Sequence, residues 1–496
     1  MAIDPGLRRL VLRTMLPAFP GHTAPDWALR LAGEGVAGYV IFGYNIADPE
    51  QLRGLTAVLR EARPEILVAT DEEGGDVTRL AHTTGSPYPG NAALGAVDDV
   101  ALTERIYQAI GADLAAAGFS LDLAPSLDVN TVDDNPTIGT RSFGADPGRV
   151  AEQGAAAVAG LQSAQVAACA KHFPGHGATH TDSHLELPTV DVPVEVLRER
   201  DLVPFVAAVK AGTRAVMTAH IRVPALTGEL PATFSNRVLV DLLRGELGFT
   251  GVLVTDALEM QGCAGRVGGV PLAAVAALRA GNDLLCLGSR IDEQLVEATV
   301  AEVAGAVRDG RLPVARLEDA AARVDALATW TRQAPPEPRV AAASPGFESL
   351  GYEAARRAIR VDGSLAALSG PVSGGMPLVV HLDSEPSIAA GRVPWGLGPH
   401  LATGVPQLRV PITAGAAGAA VVRAEAADRP VVLVGRPLHA AAALVEELAA
   451  THPVVAVEMG WPSAWRPAGV RAFVTTYGAS RANGCAAAEA LGLAAA

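Results

Sequence analysis

Short apolar runs of five to nine residues recur through the first 290 positions, each closed by a polar or glycine-containing cluster. They are VAGYVIF (36–42), EILVAT (65–70), LDLAPSLDV (121–129), VAACA (166–170), AVMTA (215–219), GVLVT (251–255) and DLLCL (283–287). Between them lie segments with helical periodicity, such as LTERIYQAIGADLAAAG and VEVLRERDLVPFVAAVKAG. Strands alternating with helices predict βα units on a parallel sheet. Seven or eight such units within residues 1–330 predict a (β/α)8 TIM-like barrel rather than an open sheet.

The pattern changes after that. TRQAPPEPRVAAASPG (331–346) is rich in Pro and Ala, breaks the periodicity and reads as a linker. Beyond it YEAARRAIRV reads as a helix. PLVVHL (377–382), RPVVLVG (429–435), PVVAVEM (453–459) and AFVTTYG (472–478) then read as strands separated by Ala-rich helices. Residues 347–496 are thus predicted to form a smaller α/β/α sandwich. No GxGxxG or P-loop sits at a strand-to-helix turn there, so nucleotide binding has no support.

Polar residues follow the strands of the first region in a consistent way: Asn45, Asp71, Asp128, Lys171 with His172, His220 and Asp256. A barrel builds its site at the carboxyl ends of its strands. Helix capping would account for one or two of these positions, but Lys and His are weak N-caps. The six positions are therefore predicted to converge on one pocket.

Composition narrows the classes. The chain has 496 residues, 49% of them hydrophobic, and a formal net charge of −14. That charge argues against a nucleic-acid surface, which needs clustered cations. The four cysteines, Cys169, Cys263, Cys286 and Cys485, form no CxxC pair and read as small reduced hydrophobes. Asp4 and Arg13 spoil the N-terminal segment as a secretory signal, and no apolar span of 18 residues follows. The expectation is a soluble cytoplasmic protein, monomeric or homodimeric, with no nucleic-acid or membrane partner.

The stretch KHFPGHGATHTDSH (171–184) spaces His172, His176, His180 and His184 four residues apart. On a helix this would be a metal ladder. Pro174, Gly175 and Gly177 would cost such a helix roughly 5 kcal/mol relative to Ala, so a loop is predicted and the spacing loses its meaning. No metal and no cofactor is expected. Within the loop, Asp182 and His184 stand at i and i+2 and point the same way in an extended segment. The pair reads either as an orienting carboxylate with a proton-transferring imidazole or as a solvated loop. Asp256, closing the apolar VLVT strand, reads either as a nucleophile or as the N-cap of the next helix. Glu259 is expected to face solvent or to cap that helix. In TDEEGGDVTRL (70–80), Asp71 and Arg79 can grip vicinal hydroxyls, with Arg141, Lys171 and His172 adding donors. Many charged groups around a neutral polyol suggest a small carbohydrate.

Taken together these motifs resemble glycoside hydrolase family 3, specifically its β-N-acetylglucosaminidase branch. The resemblance rests on DEEGGDVTRL (71–80), LDLAPSLDVN with NPTIGTRSFG (121–144), KHFPGHGATHTDSHLELP (171–188), VMTAH (216–220) and PATFSNRVLVDLLRGELGFTGVLVTDALEM (231–260). It implies a retaining exo-β-N-acetylglucosaminidase that acts on β-linked N-acetylglucosamine glycosides. Asp256 is implied as nucleophile and His184, paired with Asp182, as acid/base. Asp71, Arg79, Arg141, Lys171 and His172 are implied to hold the sugar, with Asp128 and His220 at pocket positions. Because the dyad lies on a Gly-rich loop, that loop is expected to move. Two positions depart from many relatives: Ala178 and Ala257 stand where they carry acids. A phosphorylase using inorganic phosphate, a broader β-glucosidase/N-acetylglucosaminidase, a catalytically inert sugar-binding protein and a metal-dependent hydrolase are the rival readings.

Overall fold

Eight parallel strands close into a barrel in the computed structural model, which describes residues 3–183, 185–333, 345–368 and 376–495. They are β1 (Met15–Leu16), β2 (Gly38–Val40), β3 (Leu67–Thr70), β4 (Leu121–Asp122), β5 (Ala167–Phe173), β6 (Ala215–Thr218), β7 (Val252–Thr255) and β8 (Leu285–Cys286). Strands β2 to β7 pair in sequence order, and β1 pairs with β8. A parallel bridge from Val254 to Leu284 joins β7 to β8. The Val40 N–H donates to the Pro17 carbonyl at 2.9 Å and brings β1 to β2. Seven strands match the apolar runs. The eighth, Met15–Leu16, is two residues long and lies in a segment that shows no strand periodicity.

The helices between strands start where short acidic residues cap them. Asp48 accepts from the N–H groups of Glu50 and Gln51, Asp146 from that of Arg149 and Asp292 from that of Leu295. Pro49 and Pro147 then take first-turn positions, where a missing N–H costs nothing. The stretch 194–212 forms two helices, Val194–Glu199 and Val203–Lys210, rather than one. Pro204 explains the break, since a proline inside a helix removes a hydrogen bond and clashes with the preceding turn. Inside the barrel, Leu67, Ala69, Leu121, Cys169, Met217, Val252, Val254 and Cys286 form one buried cluster with Val324 and Leu327 of the helix Val314–Thr331. All four cysteines are free: Cys169, Cys263 and Cys286 are buried and Cys485 is half-buried.

By packing, the chain divides into two compact units, and they are not contiguous in sequence. The first comprises Met1–Glu73, Val100–Ile138 and Gly144–Ser344. The second comprises Pro345–Ala496 together with Gly74–Asp99 and Gly139–Phe143. Most of the predicted linker, 334–344, lies outside the described residues.

The second unit holds a six-stranded sheet: β9 (Arg360–Gly363), β10 (Leu378–Asp383), β11 (Gln407–Pro411), β12 (Val431–Gly435), β13 (Val454–Glu458) and β14 (Ala472–Thr475). The order is β11-β10-β12-β13-β14-β9, with only β9 antiparallel. Alternate residues of β10 face opposite cores. Leu378, Val380 and Leu382 meet the helices Gly415–Ala426 and Ala442–Ala449, while Val379 lies on the face of Ala487 and Leu491. That is an α/β/α sandwich. The edge strands β9 and β11 carry mostly exposed positions and no apolar run, so their pattern announces no strand. The inserted segments are tightly built into this unit. A Cβ on Gly95 would lie 1.7 Å from the Phe143 carbonyl oxygen, and one on Gly351 would lie 2.1 Å from that of Pro87.

One buried ion cluster locks the barrel near β7 and β8. Asp283 has no exposed surface, and its carboxylate accepts from Arg244 and Arg316 at 2.5 Å each and from the Leu253 N–H at 2.8 Å. Burial raises the Asp283 carboxyl above its ordinary range even beside two guanidiniums. Asp283→Ala strands two half-buried guanidiniums, so it is expected to destabilise the protein by about 3–5 kcal/mol, read as a lowered midpoint in urea denaturation followed by circular dichroism.

Candidate active site

Parallel pairing sets the strand-end residues of the first unit at one end of the barrel. Asp71 follows β3, Lys171 and His172 lie in β5, His220 follows β6 and Asp256 follows β7. The register of β5 against β6 shifts between Ala170 and Phe173, so Lys171 and His172 depart from simple alternation. Lys171 is 1% exposed, with its ammonium 2.9 Å from Asp71 Oδ1 and 2.7 Å from Glu73 Oε1. A buried ammonium needs such counter-charge. The Glu72 N–H donates to Asp122 Oδ1 at 2.9 Å, and burial holds the Asp122 carboxyl well above the carboxylate range.

A second network centres on Asp128. Beyond β4, Ser126 bridges Lys171 in parallel register, which carries Asp128 to His172. The Asp128 carboxylate has no exposed surface. It accepts from Ser126 Oγ at 2.9 Å, from His172 Nδ1 at 2.6 Å and from the N–H groups of His172 and His176 at 3.3 and 2.6 Å. Burial pushes its pKa up, but the charge and hydrogen bond of His172, then His176, outweigh this and hold it well below the usual range. The arrangement puts a hydrogen on His172 Nδ1 and leaves Nε2 as the other face of the ring.

Beyond His172 the segment is a turn and loop, as Pro174 and the glycines require. The glycines answer to close packing rather than to mobility. A Cβ on Gly177 would lie 2.0 Å from the Val129 carbonyl oxygen, and one on Gly175, whose φ is +126°, would lie 2.7 Å from Asp201 Cβ. His176 bolts the loop from inside. The Thr179 hydroxyl donates to the His176 carbonyl, so His176 Nδ1–H donates to Thr179 Oγ1 at 2.8 Å, and Nε2 accepts from Ser183 Oγ at 3.2 Å. That pattern needs a neutral ring, and burial pushes the His176 pKa down to about 4. Close packing places Gly175 and Gly177, and hydrogen bonds of His176 fasten this half of the loop. Asp182 is half-buried, and its carbonyl accepts from the N–H groups of Leu185 and Glu186. His184 lies outside the described residues.

Asp256 stands directly after β7, half-buried. Its Oδ1 accepts from the Ala257 N–H at 2.7 Å, and its own N–H donates to the Thr218 carbonyl at 3.2 Å. His220, fully buried, holds the other side of the next peptide: its Nε2 donates to the Ala257 carbonyl at 3.1 Å, while Nδ1 meets Thr233 Oγ1 at 2.8 Å. Glu259 is half-buried and does not cap its own helix. Its carboxylate accepts from Ser289 N–H at 2.6 Å, Ser289 Oγ at 2.9 Å and Arg290 N–H at 3.2 Å, pinning the chain after β8. Asn45 is no pocket group either. Its amide spends itself on the carbonyls of Phe19 and Gly21 and on the Phe42 N–H, because a buried amide must satisfy donors and acceptor alike.

Arg79 and Arg141 belong to the second unit. Arg79 donates to the carbonyls of Ala389 and Ala390, and the Arg141 carbonyl accepts from Asn91 Nδ2. Close by in the same unit, Asp76 accepts from Thr140 Oγ1 at 2.6 Å and from the Ala479 N–H at 3.0 Å, and pairs with Arg436 at 3.2 Å. Sequence reasoning assigned no role to Glu73 or Asp122 and saw His176 only as loop structure. The run DEEGG did carry a signal for Glu73, since a buried lysine one strand away requires more than one acid.

His176 makes a pH prediction. In the unfolded chain it titrates near 6.5, and in the fold near 4. Between these values the unfolded state binds the extra proton, so this residue's stability contribution is complete above pH 6.5 and is lost as pH falls towards 4. The loss is on the order of 3 kcal/mol. Urea denaturation at pH 7 and pH 4.5 is expected to show a smaller acid loss for His176→Gln than for the unaltered protein.

The likeness to known proteins follows this geometry. Residues 18–327 match the family described as "Glycosyl hydrolase family 3 N terminal domain". A "Beta-hexosaminidase A" of Pseudoalteromonas piscicida is 33% identical over 390 residues, covering 72% of this chain, and the chain spans only 64% of that relative's length. A "Beta-hexosaminidase" of Stenotrophomonas maltophilia (strain K279a) is 40% identical over 278 residues, covering 54% of this chain and 81% of its own. Among solved structures, a glycoside hydrolase family 3 β-N-acetylglucosaminidase from Paenibacillus sp. str. FPU-7 superposes with a TM-score of 0.86 at 31% identity, over 100% of this chain and 98% of that one. With the matched region covering more than half of its length and the barrel built as described, the chain belongs to glycoside hydrolase family 3.

Proposed function

We propose that the chain is a retaining exo-β-N-acetylglucosaminidase that removes a terminal N-acetylglucosamine through a covalent glycosyl-enzyme. The observation that carries this reading is Asp256 at the end of β7, its carboxylate and the following peptide held by the Ala257 N–H and His220, at the barrel end that also bears Asp71, Lys171 and His172. The names of the relatives support the aminosugar as substrate.

In this mechanism Asp256 attacks the anomeric carbon while His184 protonates the departing oxygen. The same imidazole then removes a proton from the water that releases the sugar. Asp182 stabilises the imidazolium formed between the two steps. Asp71, Lys171, His172, Arg79 and Arg141 hold the sugar hydroxyls and amide in the first subsite. Asp128 acts beneath His172, fixing its tautomer and angle, and His220 acts beneath Asp256 through the Ala257 peptide. Both are positioning residues, because both are fully buried. In this reading the barrel of 1–330 supplies nucleophile and acid/base, and the C-terminal sandwich (347–496) packs with Gly74–Asp99 and Gly139–Phe143, which carry Arg79 and Arg141. Among the described residues no helix is long and apolar enough to cross a membrane. We place the enzyme in the cytoplasm, acting on small soluble glycosides.

Turnover of an aryl β-N-acetylglucosaminide is expected to exceed that of the matching β-glucoside and to yield free sugar of retained configuration. A sugar 1-phosphate formed in the presence of inorganic phosphate would overturn the hydrolase reading in favour of a phosphorylase. Asp256→Ala is expected to abolish turnover. Asp182→Ala is expected to lower kcat by about 10²–10⁴, more for alkyl than for nitrophenyl leaving groups, since only the poor leaving group needs the proton. Equal losses for both leaving groups would remove Asp182 from proton transfer.

A further inference from the structure

Among the described side chains Tyr44 is the only exposed aromatic, at 44%, and it follows β2 at the barrel end that bears Asp256. Exposed aliphatic residues are scattered over the rest of the surface and are ordinary there. The Tyr44 ring differs from them in being held still. Its hydroxyl reaches across the end of β1 and donates to the Ser289 carbonyl, beyond β8, at 2.7 Å. Burial, then the charge of Glu259, pushes the phenol pKa up, so the hydroxyl keeps its proton for that bond. One face of the ring stacks on Phe42, with centroids 5.5 Å apart and planes 15° apart.

The tie leads back to the loop of Asp256. Ser289 is pinned through its N–H and Oγ by Glu259, three residues after Asp256. Gly288, at φ +126°, makes room for that carboxylate, since a Cβ there would lie 2.3 Å from Glu259 Cδ. Phe42 and Ala257, the neighbour of Asp256, both pack on the apolar interior of the barrel. Tyr44 thus borders the Asp256 side of the barrel end. Within the first unit the groups proposed to hold the terminal sugar follow β3 or lie in β5. The exits of β8, β1 and β2 have no part in that grip, and there the exposed ring stands.

From this placement we infer that Tyr44 is the platform for the aglycone, its open face receiving the C–H face of a second pyranose ring. The substrate is then an N-acetylglucosamine β-linked to another sugar rather than to a small alcohol. The inference rests on the glycosidase activity proposed above. A pyranose carries its C–H groups on its faces and its hydroxyls around its edge, so it can lie flat on an aromatic ring. Tyrosine suits the rim of a wet cleft, because it offers an apolar face and a polar tip. A ring already fixed by Ser289 and Phe42 gives up little freedom when the sugar arrives.

Steady-state kinetics with N,N′-diacetylchitobiose and with methyl β-N-acetylglucosaminide test the platform, since only the disaccharide has a ring in its leaving group. Tyr44→Ala is expected to lower kcat/KM for the disaccharide about tenfold more than for the methyl glycoside. The ratio of the two is insensitive to any loss of folded enzyme. Tyr44→Phe keeps the ring and gives up the hydroxyl, and is expected to retain most of the preference. An unchanged ratio in Tyr44→Ala would overturn the platform and leave Tyr44 as a tie between β2 and the chain after β8. A ratio that falls as far in Tyr44→Phe as in Tyr44→Ala would overturn it too, by assigning the effect to the hydroxyl. No turnover of either glycoside by the unaltered protein would instead defeat the glycosidase reading, and the platform with it.

Discussion

One enclosed carboxylate, that of Asp128, organises the barrel end where the proposed chemistry occurs. It accepts hydrogen bonds from Ser126, His172 and His176, and none of its surface reaches solvent. A bare buried anion would be costly, so every neighbour that moved away would raise its energy. The exit of β4, the exit of β5 and the loop that follows are thereby fastened to a single point. His172 receives its tautomer from this contact, and the loop carrying Asp182 starts from it.

The same logic runs through the adjoining groups. Lys171 lies between Asp71 and Glu73, burial raises the Asp122 carboxyl that accepts from the Glu72 N–H, and His176 stays neutral within its loop. Buried charge of this density does not stabilise a fold on balance. In the proposed function its justification is geometric: groups that would meet the sugar are set in place before it arrives. The apolar barrel interior supplies the stability that this arrangement consumes.

How much of this was legible in the sequence depended on the length of each signal. Five-residue β-branched runs such as GVLVT announce a buried strand, and seven of eight barrel strands were found that way. Met15–Leu16 was not, because two residues carry no period, and its place follows from closure with β8. The edge strands β9 and β11 were missed for the opposite reason, since exposed edge positions carry no apolar demand. At the site, residue type told more than spacing. The even histidine ladder meant nothing once Pro174 forbade a helix, and it conceals three unlike environments: His172 on a strand, His176 as an internal bolt and His180 exposed. Gly175 and Gly177 answer to want of space, which the sequence alone does not show. Glu259 and Asn45 misled too, because local pattern cannot say which distant backbone groups a side chain will meet.

The division of the chain bears on how it is made. Gly74–Asp99 and Gly139–Phe143 pack with Pro345–Ala496, yet about 200 residues of synthesis separate Phe143 from the start of that partner. At ribosomal rates of about 5–20 residues per second, these segments, with Arg79 and Arg141 on them, wait about 10–40 s before the first of their partners exists. The barrel strands can pair during that interval, but the two arginines cannot reach their final setting until Pro345–Ala496 has been synthesised. Emergence of Pro345–Ala496 thus acts as a timer, and the segments that bear Arg79 and Arg141 settle after the barrel strands have had time to pair.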